Sequence, residues 1–358
     1  MNLRKLGERG LLDDIRRRFG GLAPASPAGI GDDAALLGTA RNAWLVSTDC
    51  LIEHRHFRRD EPGWLLGRKS LAVNLSDIAA MGGRPDSFLL TLGIPDGLSS
   101  RFLDEFLGGL LSMAKENSVK LVGGDTSGSP GPLVISITIL GRPGTRRPAR
   151  LLARSGARPG DGIYVSGPLG GSAAGRAILD RGWRLRMDRA RRRVVAVSSP
   201  PSARLAGADR RRVCTRAAEA VRSHLDPVPR LELGRRLLER KIASSAMDLS
   251  DGVSTDLRRL AEASDVGARL LAPAIPIADS ARALAPFVDA EPLGLALHGG
   301  EDYELLFTVP PSSESRLIDL DVTFIGRVTP RRGGLSLVDG SGGGSRLEPL
   351  GHDHFAAR

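Results

Sequence analysis

Apolar positions recur along this chain in two periods, and the switches between them divide it into helices and strands. Leu6, Leu11, Leu12, Ile15 and Phe19 share one side of a helix expected over 3–19. Residues 43–49, Ala-Trp-Leu-Val-Ser-Thr-Asp, read as a strand that starts apolar and ends acidic. A strong helix is expected over 62–81, with Pro62 at its start and Gly82-Gly83 past its end. Strands over 88–94, 120–126 and 133–140 and a helix over 101–117 complete a first α/β unit. The Pro/Gly/Arg-rich stretch 141–150 is the candidate linker, so the expected domains are 1–145 and 146–358. The second unit has strands at 162–166, 242–247, 267–271, 303–309, 322–328 and 335–338. Its helices are expected at 170–179, 231–239 and 253–263, and 340–345 reads as a flexible loop. No internal repeat of solenoid period is visible.

Composition adds bounds. The 358 residues give room for two domains of ordinary size, and 41% apolar residues with a mean hydropathy of -0.11 fit a soluble globular protein. Aromatic residues are scarce, so aliphatic packing must build the core. Cys50 and Cys214 stand alone, without zinc or disulfide spacing. The first twenty residues hold no apolar targeting core, and the longest aliphatic run, 133–140, is too short to span a bilayer. The expected compartment is the cytoplasm, with no membrane partner. The net charge of +10 is local: residues 181–230 hold fourteen Arg against four acidic residues, and the rest is neutral. That segment lacks interleaved aromatics apart from Trp183 and carries no nucleic-acid-binding motif. It reads as a solvated Arg-rich face.

The candidate chemistry is acidic. Asp33, Asp49, Asp77, Asp125, Asp248 and Asp251 each lie at the end of an apolar run or on a helix face that ought to be buried. A lone Asp at such a junction is ordinarily a helix cap, a role open to Asp251 or Ser254. Six together would repel one another unless cations neutralise them. Oxygen-only donors select hard cations, and Mg²⁺ is usually completed by water and phosphates. Ser47, Thr48 and Ser250 add hydroxyls, and Gly123-Gly124 and Gly299-Gly300 let backbone approach phosphate closely. The reading is a Mg²⁺-dependent phosphate-handling site. Gly63 to Ser70 imitates a phosphate-binding loop, but its glycines are one residue too close and it sits inside a helix.

These stretches carry a resemblance. Gly31-Asp32-Asp33-Ala34-Ala35, Ser47-Thr48-Asp49, Asn74-Leu75-Ser76-Asp77 through Gly82, Gly123-Gly124-Asp125-Thr126, Met247 to Gly252 and Gly299-Gly300-Glu301-Asp302-Tyr303-Glu304-Leu305 occur in that order. Together they resemble the thiamine-monophosphate kinase family, of the superfamily shared with aminoimidazole ribonucleotide and selenophosphate synthetases. The match runs from about Gly29 to Val328, with the Arg-rich segment as its main gap.

The resemblance implies a mixed α/β, two-domain PurM-like fold. Its N-terminal domain would give strands to a β-barrel shared across a homodimer, with the active site in the cleft beside the C-terminal α/β domain. It implies ATP-dependent phosphorylation of thiamine monophosphate to thiamine diphosphate by direct in-line transfer. Asp33, Ser47, Thr48, Asp49, Asp77, Asp125, Asp248 and Asp251 would hold several Mg²⁺ ions. Gly124, Asp125, Arg154 and Ser250 would meet ATP. His56, Glu301 and His352 would meet the substrate, and catalysis would rest on Asp251 and Arg154. Two positions depart from the family: His352 stands where an aromatic is usual, and Asn117 where a Tyr often lies near adenine. His54 is expected in a surface loop and His298 in a structural role. The alternatives are another ATP-dependent synthetase of the superfamily, or a non-catalytic nucleic-acid-binding protein using residues 181–230. A selenophosphate synthetase would carry a reactive Cys in a Gly-rich N-terminal segment, and 20–31 has none.

Overall fold

The computed structural model describes residues 3–19, 29–38, 42–146, 149–188, 192–200, 203, 205 and 207–352. The loop expected over 20–29 (but for Gly29) and the tail from Asp353 lie outside them. In the first half, α1 (Leu3–Phe19) precedes β1 (Ala35–Leu37), β2 (Trp44–Ile52), α2 (Gly63–Ala80), β3 (Arg84–Pro95), α3 (Ser100–Glu116), β4 (Lys120–Ser129) and β5 (Val134–Arg142). The strands form one sheet in the order β1-β2-β5-β3-β4, antiparallel except for β3 with β4. Alternation along β5 turns Ile135, Ile137 and Ile139 onto α2, where Leu71, Leu75 and Ile78 meet them. The opposite face of this sheet is open. Thr48, Cys50, Leu89, Thr91 and most of β4 are exposed there or at the sheet's edge.

Helix α2 is the hinge of the packing. It lies against α3 on one side and the first sheet on another, and reaches the second half through its remaining faces. Glycines permit the close approach. A Cβ at Gly67 would lie 2.0 Å from the Phe106 carbonyl oxygen, and one at Gly109 would lie 1.9 Å from that of Trp64. The glycines that imitate a phosphate-binding loop therefore serve helix packing.

A short hairpin, β6 (Thr145–Arg146) with β7 (Ala149–Arg150), occupies the stretch read as a linker. Then follow β8 (Gly162–Val165), α4 (Gly171–Asp180), β9 (Arg184–Asp188), β10 (Arg193–Ser198), α5 (Gly207–Leu225), α6 (Leu231–Glu239), β11 (Ser245–Asp248) and α7 (Val253–Ala263). The chain ends on β12 (Val266–Leu271), α8 (Asp279–Leu284), α9 (Pro292–His298), β13 (Leu305–Val309), β14 (Thr323–Pro330), β15 (Leu335–Val338) and β16 (Gly344–Arg346). Seven strands make the second sheet, ordered β11-β13-β8-β14-β12-β15-β16.

Among its described residues the Arg-rich segment forms β9, β10 and α5. Val194, Val197, Val213, Ala217 and Val221 pack with Trp183 in a core shared with α4 and α8, while Arg184, Arg186, Arg210, Arg211, Arg212 and Arg222 are exposed. Its mixed charge hid the helical and strand periods. β13 starts two residues later than expected because Tyr303 has φ 50°, incompatible with a strand. Residues 340–345 form a turn held by Asp339, which accepts from the Ser341 and Gly343 amides, and then enter β16. No helix among the described residues is long and apolar enough to cross a membrane.

Gly67→Ala should destabilise the protein by about 2 kcal/mol, since backbone rather than a movable side chain faces the added methyl. Gly131→Ala, which meets nothing within 4 Å, is the control. Equal melting temperatures for the two variants would contradict this packing.

Candidate active site

A cavity of about 1590 Å³ is lined from both halves of the chain. Every site residue expected from the sequence lines it except Gly124 and Asp125. Three carboxylates form its centre. Asp33 precedes β1, Asp77 lies in the last turn of α2, and Asp248 ends β11. One oxygen of each falls within 4.8 Å of the others.

The polar positions of α2 are all committed. Ser47 Oγ donates to Asp77 at 2.6 Å, and Ser76 Oγ donates to Asp248 at 2.8 Å. Asn74 donates to the Ser70 carbonyl at 3.0 Å and accepts from the Asp49 amide at 3.3 Å. Burial, reinforced by the neighbouring carboxylates, pushes Asp77 and Asp248 well above the usual carboxylate range. Burial and then the charges of Asp251 and Asp33 raise Asp49 to about 6. Asp33 Oδ2 is buried with no hydrogen-bond partner among the described residues. An orphaned carboxylate oxygen inside an oxygen-only cluster fits a hard divalent cation.

Two arginines temper the charge. Arg154 Nε donates to Asp33 at 3.1 Å and its Nη1 to the Gly31 carbonyl at 3.3 Å. Burial opposes its charge, but Asp33, Asp248 and Asp256 outweigh burial and hold the guanidinium above its usual range. Arg259 bonds Asp251 and also Asp256, the latter at 3.0 Å. The helix start at α7 differs from the expected caps. Gly252 is the N-cap, with φ 101°, and Ser254 instead bonds His298 at 2.8 Å. Asp256 reaches back to the amides of Asp251 at 3.0 Å and Gly252 at 3.1 Å. That leaves the Asp251 side chain free of capping duty. Burial and Asp251 raise Asp256 to about 7. Sequence reading passed over Asp256 and Arg259; an acid in the first turn after a glycine was the available signal.

The acids of the Gly299-to-Leu305 block have separate tasks. Asp302 caps α4, accepting from Gly170 N–H at 2.9 Å and Ser172 N–H at 3.3 Å. Glu304 pairs with Arg230. Only Glu301 faces the cavity, from a backbone at φ 56°. Its carboxylate lies 2.9 Å from Lys69 Nζ. Burial would raise its pKa, but Lys69 beside it prevails and holds Glu301 at about 2. His56 Nδ1 accepts from the Ile52 amide at 2.9 Å, which places the proton of the neutral ring on Nε2. His352 donates its amide to the Asp251 carbonyl at 3.2 Å, so the tail docks on the same loop. His298 is structural as expected, and His54 is exposed at φ 65°.

Three expected residues stand apart. Gly124 and Asp125 lie on the exposed edge strand β4, outside the cavity. A Cβ at Gly124 would lie 1.8 Å from the Leu90 carbonyl oxygen, so strand packing alone requires that glycine. Thr48 borders the cavity, but its hydroxyl points to the other face of β2 and bonds Thr138 at 3.1 Å. Ser47 and Asp49, one residue to either side, face the carboxylates, as a period of two demands. Asn117 ends α3 and donates to the Met113 carbonyl at 2.9 Å, away from the cavity.

Residues 31–142 match the AIR synthase related protein N-terminal domain, and 158–338 match its C-terminal domain. Thiamine-monophosphate kinase of Escherichia coli (strain K12) is 39% identical over 336 residues, 92% of each chain. That of Aquifex aeolicus (strain VF5) is 31% identical over 355 residues, 99% of this chain and 100% of that one. The solved structure of AaThiL complexed with AMPPCP and TMP shares the fold with a TM-score of 0.79, at 30% identity over 99% of both chains. This chain belongs to the AIR synthase related proteins and, within them, to the thiamine-monophosphate kinase family of enzymes.

Proposed function

We propose that this enzyme transfers the γ-phosphoryl group of ATP to thiamine monophosphate, giving thiamine diphosphate and ADP. The observation that carries this reading is the carboxylate cluster of Asp33, Asp77 and Asp248, in one cavity with Arg154 and Glu301. The likeness to a relative solved with an ATP analogue and TMP supports it. Asp33, Asp49, Asp77, Asp248 and Asp251 would hold Mg²⁺, and Ser47 orients Asp77. When bound, Mg²⁺ supplies neutralising charge and a template for the phosphates. The acceptor is the substrate's own phosphate, so the enzyme needs no nucleophile. An acceptor oxygen bonds the γ-phosphorus as the bond to the β–γ bridging oxygen breaks. Arg154 spreads its charge over the transferring group, and Ser250 meets the nucleotide. Glu301, ionised, faces the cationic thiazolium or the aminopyrimidine, with His56 and His352 lining the rest of the substrate's place. The expected division at 145/146 falls in the gap between the two matched domains. ATP and Mg²⁺ make the cytoplasm the fitting compartment.

The open sheet face and the free edges of β2, beyond its short pairing with β1, and of β4 suit a homodimer closing a barrel. Such pairing would carry Gly124 and Asp125 of one copy to the site of the other.

A coupled ADP-release assay should show turnover with thiamine monophosphate, none with thiamine, and loss of turnover with EDTA. Asp251→Asn should keep the fold and lose activity on the order of 100-fold; near-wild-type rates would remove the central claim.

The pH dependence follows from the raised carboxyls. Without Mg²⁺, the contribution of Asp49 to stability is full below about 4 and lost as pH rises through about 6. Mg²⁺ must displace those protons, so its effect on melting temperature should be small near pH ~5 and large near pH ~8. Equal effects at both would place the ion elsewhere.

Mixing inactive Asp125→Asn with inactive Asp251→Asn should restore part of the activity through mixed dimers. No recovery after verified subunit exchange would put Asp125 in its own chain's site or in none.

A further inference from the structure

Lys69 has no part in the mechanism above, yet its placement is unusual. It lies on α2 and is only 1% exposed, with its stem in the core and its ammonium group 2.9 Å from Glu301 Oε1. Lysine is almost never buried to this degree unless paired. Beyond this pair its nitrogen has no hydrogen-bond partner among the described residues, so the ion pair with Glu301, together with the charge of the buried Glu61 nearby, offsets its burial. Lys69 does not line the cavity, whereas Glu301 does, with 18% of its side chain exposed. The ammonium group is thus behind the carboxylate as seen from the cavity.

The other oxygen of Glu301 is also framed. Oε2 lies 3.5 Å from Arg176 Nη1 and 3.4 Å from His224 Nδ1. His224 is buried, bonded to Ser172 at 3.2 Å, and neutral, because burial and then Lys69 depress its pKa to about 3. The Glu301 amide donates to the Ser250 carbonyl at 2.7 Å, which holds its left-handed backbone in place. Backbone and both carboxylate oxygens are therefore fixed before any ligand arrives. A buried ion pair is weak evidence for stability, since apolar replacements of both partners are often neutral. What it supplies here is orientation and charge at a cavity-facing group.

We infer that Lys69 is a positioning residue: it holds the Glu301 carboxylate in place and aimed into the cavity, and so sets the affinity for the cationic acceptor without touching it. This rests on the kinase reading above. A lysine acting only on folding would not discriminate between the two substrates.

The test is steady-state kinetics with Mg²⁺-ATP on the wild type, Lys69→Met, Glu301→Gln and the double variant. Each single change should raise KM for thiamine monophosphate about 10-fold or more, leaving KM for ATP within about twofold. The double variant should be no weaker than the weaker single variant, because both changes remove one unit. A wild-type KM in Lys69→Met, an equal rise in both KM values, or additive losses would overturn the proposal. If Lys69→Met alone fails to fold around an unpaired carboxylate, Glu301→Gln and the double variant decide. Equal KM values support positioning, and a weaker double variant overturns it. A wild type that does not turn over thiamine monophosphate overturns the kinase reading and this proposal together. An active wild type with an unaffected Lys69 variant overturns this proposal alone.

Discussion

The structure depends on one electrostatic constraint: several carboxylates share one cleft, where like charges repel and burial disfavours ionisation. Asp33, Asp77 and Asp248 approach within 4.8 Å although they come from a loop, a helix and a strand in different parts of the chain. The surrounding fold is arranged to tolerate this. Hydroxyls of Ser47 and Ser76 satisfy the outer oxygens, and Arg154 and Arg259 act as internal counter-ions. What these groups leave unanswered, including the orphaned Asp33 oxygen, is the demand a cation would meet.

Helix α2 bears most of this arrangement. Its apolar face belongs to the core of the first sheet, while Asn74, Ser76 and Asp77 on its polar face reach β2 and β11. Polar side chains inside a buried helix are costly unless paired; Asn74 and Asp77 are paired within the first half, and Ser76 is paired across the domain boundary with Asp248. The helix joins the two halves through the same groups that build the site.

Metal loop and substrate loop are also one unit. The Tyr303 amide bonds the Leu249 carbonyl, Glu301 bonds Ser250, and His352 bonds Asp251. Gly300, at φ 71°, would place a Cβ 2.8 Å from the Ser250 carbonyl oxygen, so only glycine allows the contact. Glu301 lines the same cavity as the acidic cluster yet carries its own counter-ion. Two acids of one cavity thereby stay in opposite states: Asp77 is pushed toward protonation and Glu301 is held ionised.

Local pattern alone determined a good part of this protein. Periodicity located α2, α3, α7 and the central strands, because their apolar faces are large and uninterrupted. Acidic residues at the ends of apolar runs located the cluster, because a buried carboxylate must sit where an element meets the cleft. Short or charge-rich elements escaped: β9, β10 and α5 hide their few apolar positions among arginines. Tertiary structure alone decided which of these acids share a site. It sent Asp302 to cap α4 and Glu304 to Arg230, turned Thr48 to the far face of β2, and left Asp125 on an open edge. It also placed Lys69 behind Glu301, a pairing between residues more than two hundred positions apart. Sequence spacing carries no record of such distances; they are set by how two sheets pack against one shared helix.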